Sequence, residues 1–148
     1  MISVREARAN DAGEIQELLF YLTNNPGVSV QPERLEEVAS CNYSFVLVAE
    51  YFGAVVGTLQ LTLCPDVMFK TQPYAVIENI VIRKENQKLG IGFTLMNKAI
   101  DLCTEKLCSK IMISSSINRV EAHQFFEKLG FSSENKKGFI KYPFRKSA

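Results

Sequence analysis

The stretch Gln87-Lys88-Leu89-Gly90-Ile91-Gly92 constrains this 148-residue chain more than any other, because of what flanks it. Before it, residues 75–83 form an apolar run of strand length. After it, apolar residues at positions 91, 95, 99, 102 and 103 keep helical spacing to about residue 107. A strand that turns through glycines into a long amphipathic helix commits the chain to a layered α/β arrangement. It also builds an anion site. The first turn of a helix carries backbone N–H groups without partners inside the helix, and the helix dipole adds partial positive charge there. Glycines at 90 and 92 remove two Cβ atoms, so a phosphate group can approach the backbone, although the same pair also permits plain strand-to-helix packing.

Two common phosphate motifs do not fit. The motif G-x-x-x-x-G-K-[ST] requires a Lys followed by a hydroxyl residue, and that pair does not follow Gly92. The dinucleotide fingerprint G-x-G-x-x-G fails at Leu95, where its third Gly belongs, and residues 83–89 separate the strand from Gly90.

What the stretch does match is Q/R-x-x-G-x-G/A, with Gln87, Gly90 and Gly92 in the three defined places. A second block, N-R-V-E-A-H-Q-F-F-E-K-L-G-F, spans residues 118–131, and I-E-N-I-V-I precedes the loop at residues 77–82. On these residues the chain resembles the GCN5-related N-acetyltransferase (GNAT) superfamily, nearly end to end.

Composition bounds the answer independently. With 47% hydrophobic residues, 148 residues bury one good core, so a single domain over residues 1–148 is expected. The net charge of +1 and the absence of a dense basic block argue against nucleic acid as partner. No apolar run approaches the roughly 20 residues of a membrane span, and the charged first eight residues do not read as a signal peptide. A cytoplasmic protein, monomer or homodimer, is expected. Cys41, Cys64, Cys103 and Cys108 lack C-x-x-C spacing and His123 is the sole His, so no metal is expected and the cysteines read as small buried or half-buried hydrophobes.

Periodicity predicts a strand over residues 2–7 and a helix over 11–22 that Asn10 caps. A second helix starts near Pro32, and Phe52-Gly53 joins strands 45–51 and 54–63 as a hairpin. Strand 75–83, the helix from residue 91, strand 110–114 and helix 121–129 follow, with Gly130 as a left-handed cap. A strand from Phe131, a turn at 134–138 and a strand at 139–142 close the chain as a final hairpin. The order β-α-α-β-β-β-α-β-α-β-β is that of the GNAT fold: α/β, with a mixed, mostly antiparallel sheet of about six or seven strands and about four helices.

The resemblance implies acetyl-CoA as cosubstrate, lying where strands 75–83 and 110–114 splay apart at a bulge. It assigns the pantetheine arm to the backbone of Ile80, Val81 and Ile82. The pyrophosphate falls to Gln87, Lys88, Leu89, Gly90, Ile91, Gly92 and Phe93. Asn118 and Phe125 are implied as further cofactor contacts, each with a plainer reading, loop Asn and core Phe. Glu78 falls where many members place a carboxylate that deprotonates the amine through water, while a cross-strand surface charge is its plainer reading; Glu50 and Asp66 are weaker candidates. The backbone N–H of Ile80 is implied as oxyanion donor.

One departure stands out: members often carry a Tyr four residues before the Gly of the second block, and this chain has Phe126. Tyr142, Ser114 and Ser116 are other proton donors in reach of sequence reasoning. The implied activity is transfer of an acetyl group to a primary amine of a small molecule, with a protein or peptide N-acetyltransferase and a catalytically idle acetyl-CoA-binding module as the alternatives. Acceptor contacts are expected in residues 23–31, 64–73 and the last hairpin. The acidic helix face Glu33, Glu36 and Glu37 reads as a solvated face or a draw for polyamines or aminoglycosides. Lys136, Lys137, Lys141, Arg145 and Lys146 read as a solubility tail or an anion contact.

Overall fold

The alternating run at the start of the chain forms β1 (Ile2–Glu6), and the elements after it are α1 (Ala12–Thr23), α2 (Pro32–Ser40), β2 (Ser44–Tyr51), β3 (Ala54–Cys64), β4 (Tyr74–Ile82), α3 (Ile91–Glu105), β5 (Ile111–Ile113) and α4 (Val120–Lys128). The computed structural model describes residues 1–144. The chain divides into a larger unit, Met1–Ile113, and a C-terminal unit that begins at Ser114.

In the larger unit the five strands lie in the order β1-β2-β3-β4-β5. Neighbours are antiparallel except β4 and β5, which run parallel. The β2–β3 hairpin closes through Phe52 and Gly53 at φ 50° and 81°, the two positive φ values that a type I′ turn demands. Pro32 occupies the first turn of α2, where a missing N–H costs nothing.

Capping of α1 differs from expectation. A 3-10 turn, Ala9–Asp11, precedes the helix, and Asp11 rather than Asn10 stands at the N-cap. The buried Asp11 carboxylate accepts the Arg8 N–H at 2.7 Å and the Arg5 guanidinium at 2.8 and 3.0 Å, so β1 fixes where α1 begins. Arg5 also pairs with Glu50 on β2. The Arg5 hydrogen bond holds the Asp11 carboxyl below the usual carboxylate range, and the same bond raises the guanidinium.

Period-2 alternation gives the sheet two apolar faces. Val48, Val55 and Val81 pack with Ile15 and Leu18 of α1 and Leu35 of α2. The alternate residues Leu47, Ala49, Leu61 and Ile77 face the other way, the side for α3, whose Ile91, Leu95, Met96, Ala99 and Cys103 are buried.

In the C-terminal unit, Gly130 follows α4 at φ 95° and donates to Glu127 O at 3.0 Å, as expected of a left-handed cap. The expected final hairpin does not form: the sheet has five strands among the described residues, and 131–142 carry no strand. Ser132 Oγ accepts the Glu134 N–H at 3.2 Å, a local turn bond that competes with a ladder. Phe139, Ile140 and Tyr142 are exposed, and a four-residue strand with no buried face is marginal. Arg145 and Lys146 lie outside the described residues. Among the described residues no helix is long and apolar enough to cross a membrane.

Candidate active site

β4 is laddered to β5 over its first half only, Ala75 to Ile111, Val76 to Met112 and Ile77 to Ile113. β5 ends there, so the backbone from Glu78 to Ile82 has no partner strand on that side among the described residues. On its other side the register with β3 slips: Gln60 opposes Glu78, yet Thr58 opposes Val81. Two residues, Asn79 and Ile80, therefore face one, Leu59. This is a β-bulge with Asn79 left-handed at φ 59°. The bulge that the family resemblance implies thus falls at Asn79.

Asn is among the few non-glycine residues that enter the left-handed region readily, because its short amide bonds locally. Asn79→Ala is expected to cost about 1 kcal/mol of stability, and Asn79→Gly no more than half of that, in urea unfolding. Equal losses would show that this backbone conformation is not what the position selects for.

Beyond β4, Gln87 Nε2 donates to Ile82 O at 3.1 Å and draws the loop back to the strand end. Gln87 is thereby a brace for the loop. Lys88 and Gly90 are left-handed at φ 66° and 83°, and Gly90 is the N-cap of α3. The first helical bond runs from Thr94 N–H to Gly90 O at 3.1 Å, so the N–H groups of Ile91, Gly92 and Phe93 precede it. Ile91 is buried and pins the helix start to the core, leaving its backbone for the loop, whereas Gln87, Lys88, Leu89 and Phe93 are exposed. An open strand edge and a helix start bared by glycine fit an extended ligand that carries amides at one end and a pyrophosphate further on.

A cleft of about 600 Å3 opens between α1, α2 and the strands, and Asn79 lines it. Its wall includes Gln60, Ser44, Thr58 and Tyr43. The sequence reading named none of these. Asn79 carried a signal, since Asn is depleted in strands; Ser44 and Tyr43 carried none. Of the loops expected to hold the acceptor, residues 23–31 contribute Ser29, Val30 and Gln31, and residues 64–73 contribute none of the lining. Glu37 lines the cleft in an ion pair with Arg34 at 3.0 Å, while Glu33 and Glu36 are exposed and not part of the wall. Glu78 is exposed and sits directly across from Gln60, so its side chain leaves the sheet on the cleft's side, although it is not itself a wall residue.

In the C-terminal unit Asn118 is exposed in a turn. His123 Nε2 lies 2.9 Å from Ser116 O, which ties α4 to the preceding loop. Phe126 is buried, with ring centroids 5.5 Å from Phe125 and 6.3 Å from Phe131. Burial pushes the Cys103 thiol up to about 12 and also raises Cys108, so both stay protonated and weakly nucleophilic at neutral pH. Among the described residues no group of three or more His, Cys, Asp or Glu could hold a metal ion.

Comparison with known proteins places this geometry. The sequence matches the Acetyltransferase (GNAT) family over residues 14–131. A chain from Agrobacterium tumefaciens assigned to the acetyltransferases is 28% identical, superposes with a TM-score of 0.85 and covers 95% of this chain and 99% of its own. Glucosamine-6-phosphate N-acetyltransferase from Arabidopsis thaliana is 24% identical, with a TM-score of 0.82 over 98% of this chain and 99% of that one. An aminoglycoside acetyltransferase from an uncultured soil metagenomic sample is 20% identical, with a TM-score of 0.82 over 97% of each chain. With a split strand, a glycine-capped helix start and a family match over most of its length, the chain belongs to the GNAT acetyltransferase family.

Proposed function

We propose that this protein transfers the acetyl group of acetyl-CoA to a primary amine of a small molecule held in the cleft. One observation carries the reading: Asn79 joins the open edge of β4 to the cleft wall, so a thioester held along that edge meets an amine held in the cleft. Acetyl-CoA supplies an activated acyl carbon and a thiol leaving group. The backbone of Ile80, Val81 and Ile82 pairs with its pantetheine arm, and the loop from Gln87 to Phe93 receives the pyrophosphate. Asn118 and Phe125 are assigned to the cofactor on the family resemblance.

An alkylamine has a pKa of about 10.4, so it arrives protonated and must lose a proton before it attacks. Glu78, across the strand from the wall residue Gln60, takes that proton through water. The C–N bond forms as the C–S bond breaks, and the thiolate takes up a proton from water. Charge gathering on the carbonyl oxygen is met by the Ile80 N–H. A thiol pKa near about 8.5 makes the thiolate a tolerable leaving group, which is why Phe126 in place of a phenol is compatible with turnover.

The test is release of free thiol from acetyl-CoA with a panel of polyamines, amino acids, aminoglycosides, short peptides and simple alkylamines. Release is expected to depend on an amine from the panel. If acetyl-CoA raises the melting temperature but no amine accelerates release, the chain is a binding module and the enzymatic reading fails.

A further inference from the structure

The wall of the 600 Å3 cleft narrows the acceptor, on the premise that the acetyl-transfer reading of this site holds. Among the described residues that line it, Glu37 is the one acid and Arg34 the one base, and they pair at 3.0 Å with both side chains mostly exposed. Most of the neutral polar groups are engaged within the protein. The Thr58 hydroxyl donates to Leu47 O at 2.8 Å. Ser44 Oγ lies 3.1 Å from Thr62 Oγ1 and accepts from Gln60 Nε2 at 3.3 Å. Gln31 Nε2 donates to Ser29 Oγ at 2.8 Å. What is left for recognition is mainly apolar, Leu19, Val30, Val38 and Val46, with the polar ends of Tyr43 and Asn79 beside it.

We infer that the acceptor is a primary monoamine on an apolar carbon body, the amine being its one charged group. Each extra ammonium of a polyamine or aminoglycoside loses water on entry and needs its own carboxylate, and the wall offers one, Glu37, in a solvent-exposed pair with Arg34. A phosphate-bearing amine needs a cation, and the wall's one cation, Arg34, stands in that same exposed pair with a carboxylate beside it. An apolar body instead gains by covering Leu19, Val30 and Val46, in a cleft within the usual range for small ligands.

The experiment compares kcat/KM of the full chain, with acetyl-CoA, for phenethylamine and hexylamine against spermidine, kanamycin and glucosamine 6-phosphate. The apolar monoamines are expected to lead by about tenfold or more. Leu19→Ala should lower their kcat/KM by about tenfold and that of spermidine by clearly less, and Val38→Glu should narrow the gap by favouring spermidine. A polycation or phosphosugar as best substrate overturns the assignment while leaving acetyl transfer standing, as does a ratio that neither variant moves. If no amine releases CoA, acetyl transfer itself fails. Calorimetric titration of phenethylamine and spermidine into the protein saturated with CoA then still decides the cleft's preference, and tighter spermidine binding overturns it.

Discussion

Gly92→Val is expected to weaken acetyl-CoA binding by about 100-fold or more while leaving the fold intact, and Gly90→Val to weaken it as much at some cost in stability. The N–H groups of Ile91, Gly92 and Phe93 precede the first bond of α3, and a hydrogen bond to a charged group contributes roughly 1.5–3 kcal/mol. Obstructing two of them gives the stated loss, since about 1.4 kcal/mol is tenfold. Gly92 lies inside α3, where Val is no worse than Gly in propensity, so its added isopropyl group acts by blocking the approach. Gly90 sits at φ 83°, and a side chain there costs about 1–2 kcal/mol of backbone strain. At a ligand concentration of 100 times Kd, acetyl-CoA stabilises the native protein by about 2.7 kcal/mol. Most of that shift should vanish in both variants. A full thermal shift in both would place the pyrophosphate elsewhere.

Glu78→Gln should lower kcat at neutral pH by about 10²–10⁴ and leave acetyl-CoA affinity unchanged. The amide keeps the size of the side chain and loses the ability to take a proton. Activity should then recover as pH climbs toward the amine's own value of about 10.4, where the nucleophile is neutral without help. The wild-type protein should gain far less over the same range. A Glu78 that served only as a cross-strand charge opposite Gln60 would change unfolding and leave this pH profile untouched. Unchanged kcat at pH 7 would move the base to another residue.

The parts of this fold that local chemistry decides were legible in the sequence. Pro32 at the start of α2, the Phe52-Gly53 turn, Gly90 before α3 and Gly130 after α4 each answer to the backbone geometry of one or two residues. The loop pointed to the family because Gln87, Gly90 and Gly92 stand in the three defined places of its signature. Features that depend on a partner far along the chain were not legible. Asn10 and Asp11 are equally good caps by type, and Arg5 on β1 decides between them. Residues 139–142 have the composition of a strand, but Phe139 and Ile140 stay exposed among the described residues. Gln60 and Ser44 reach the cleft wall through the β2–β3 register, which no spacing of apolar residues reports.

The bulge at Asn79 also sets the phase of everything after it. Ile77 opposes Leu61 and Ile82 opposes Gly57, alternate positions of β3, so two β4 residues five apart in sequence share one face of the sheet. Regular alternation would put them on opposite faces. Gly57 leaves the room this needs, since a Cβ there would meet Ile82 Cδ1 at 2.6 Å. The site therefore rests on a count of residues as much as on their identity. Point substitutions along β4 preserve that count. Loss of a single codon between those for Ile77 and Ile82 reverses it, turning an apolar side chain out of the core and the strand's open edge out of step with the cleft in one event.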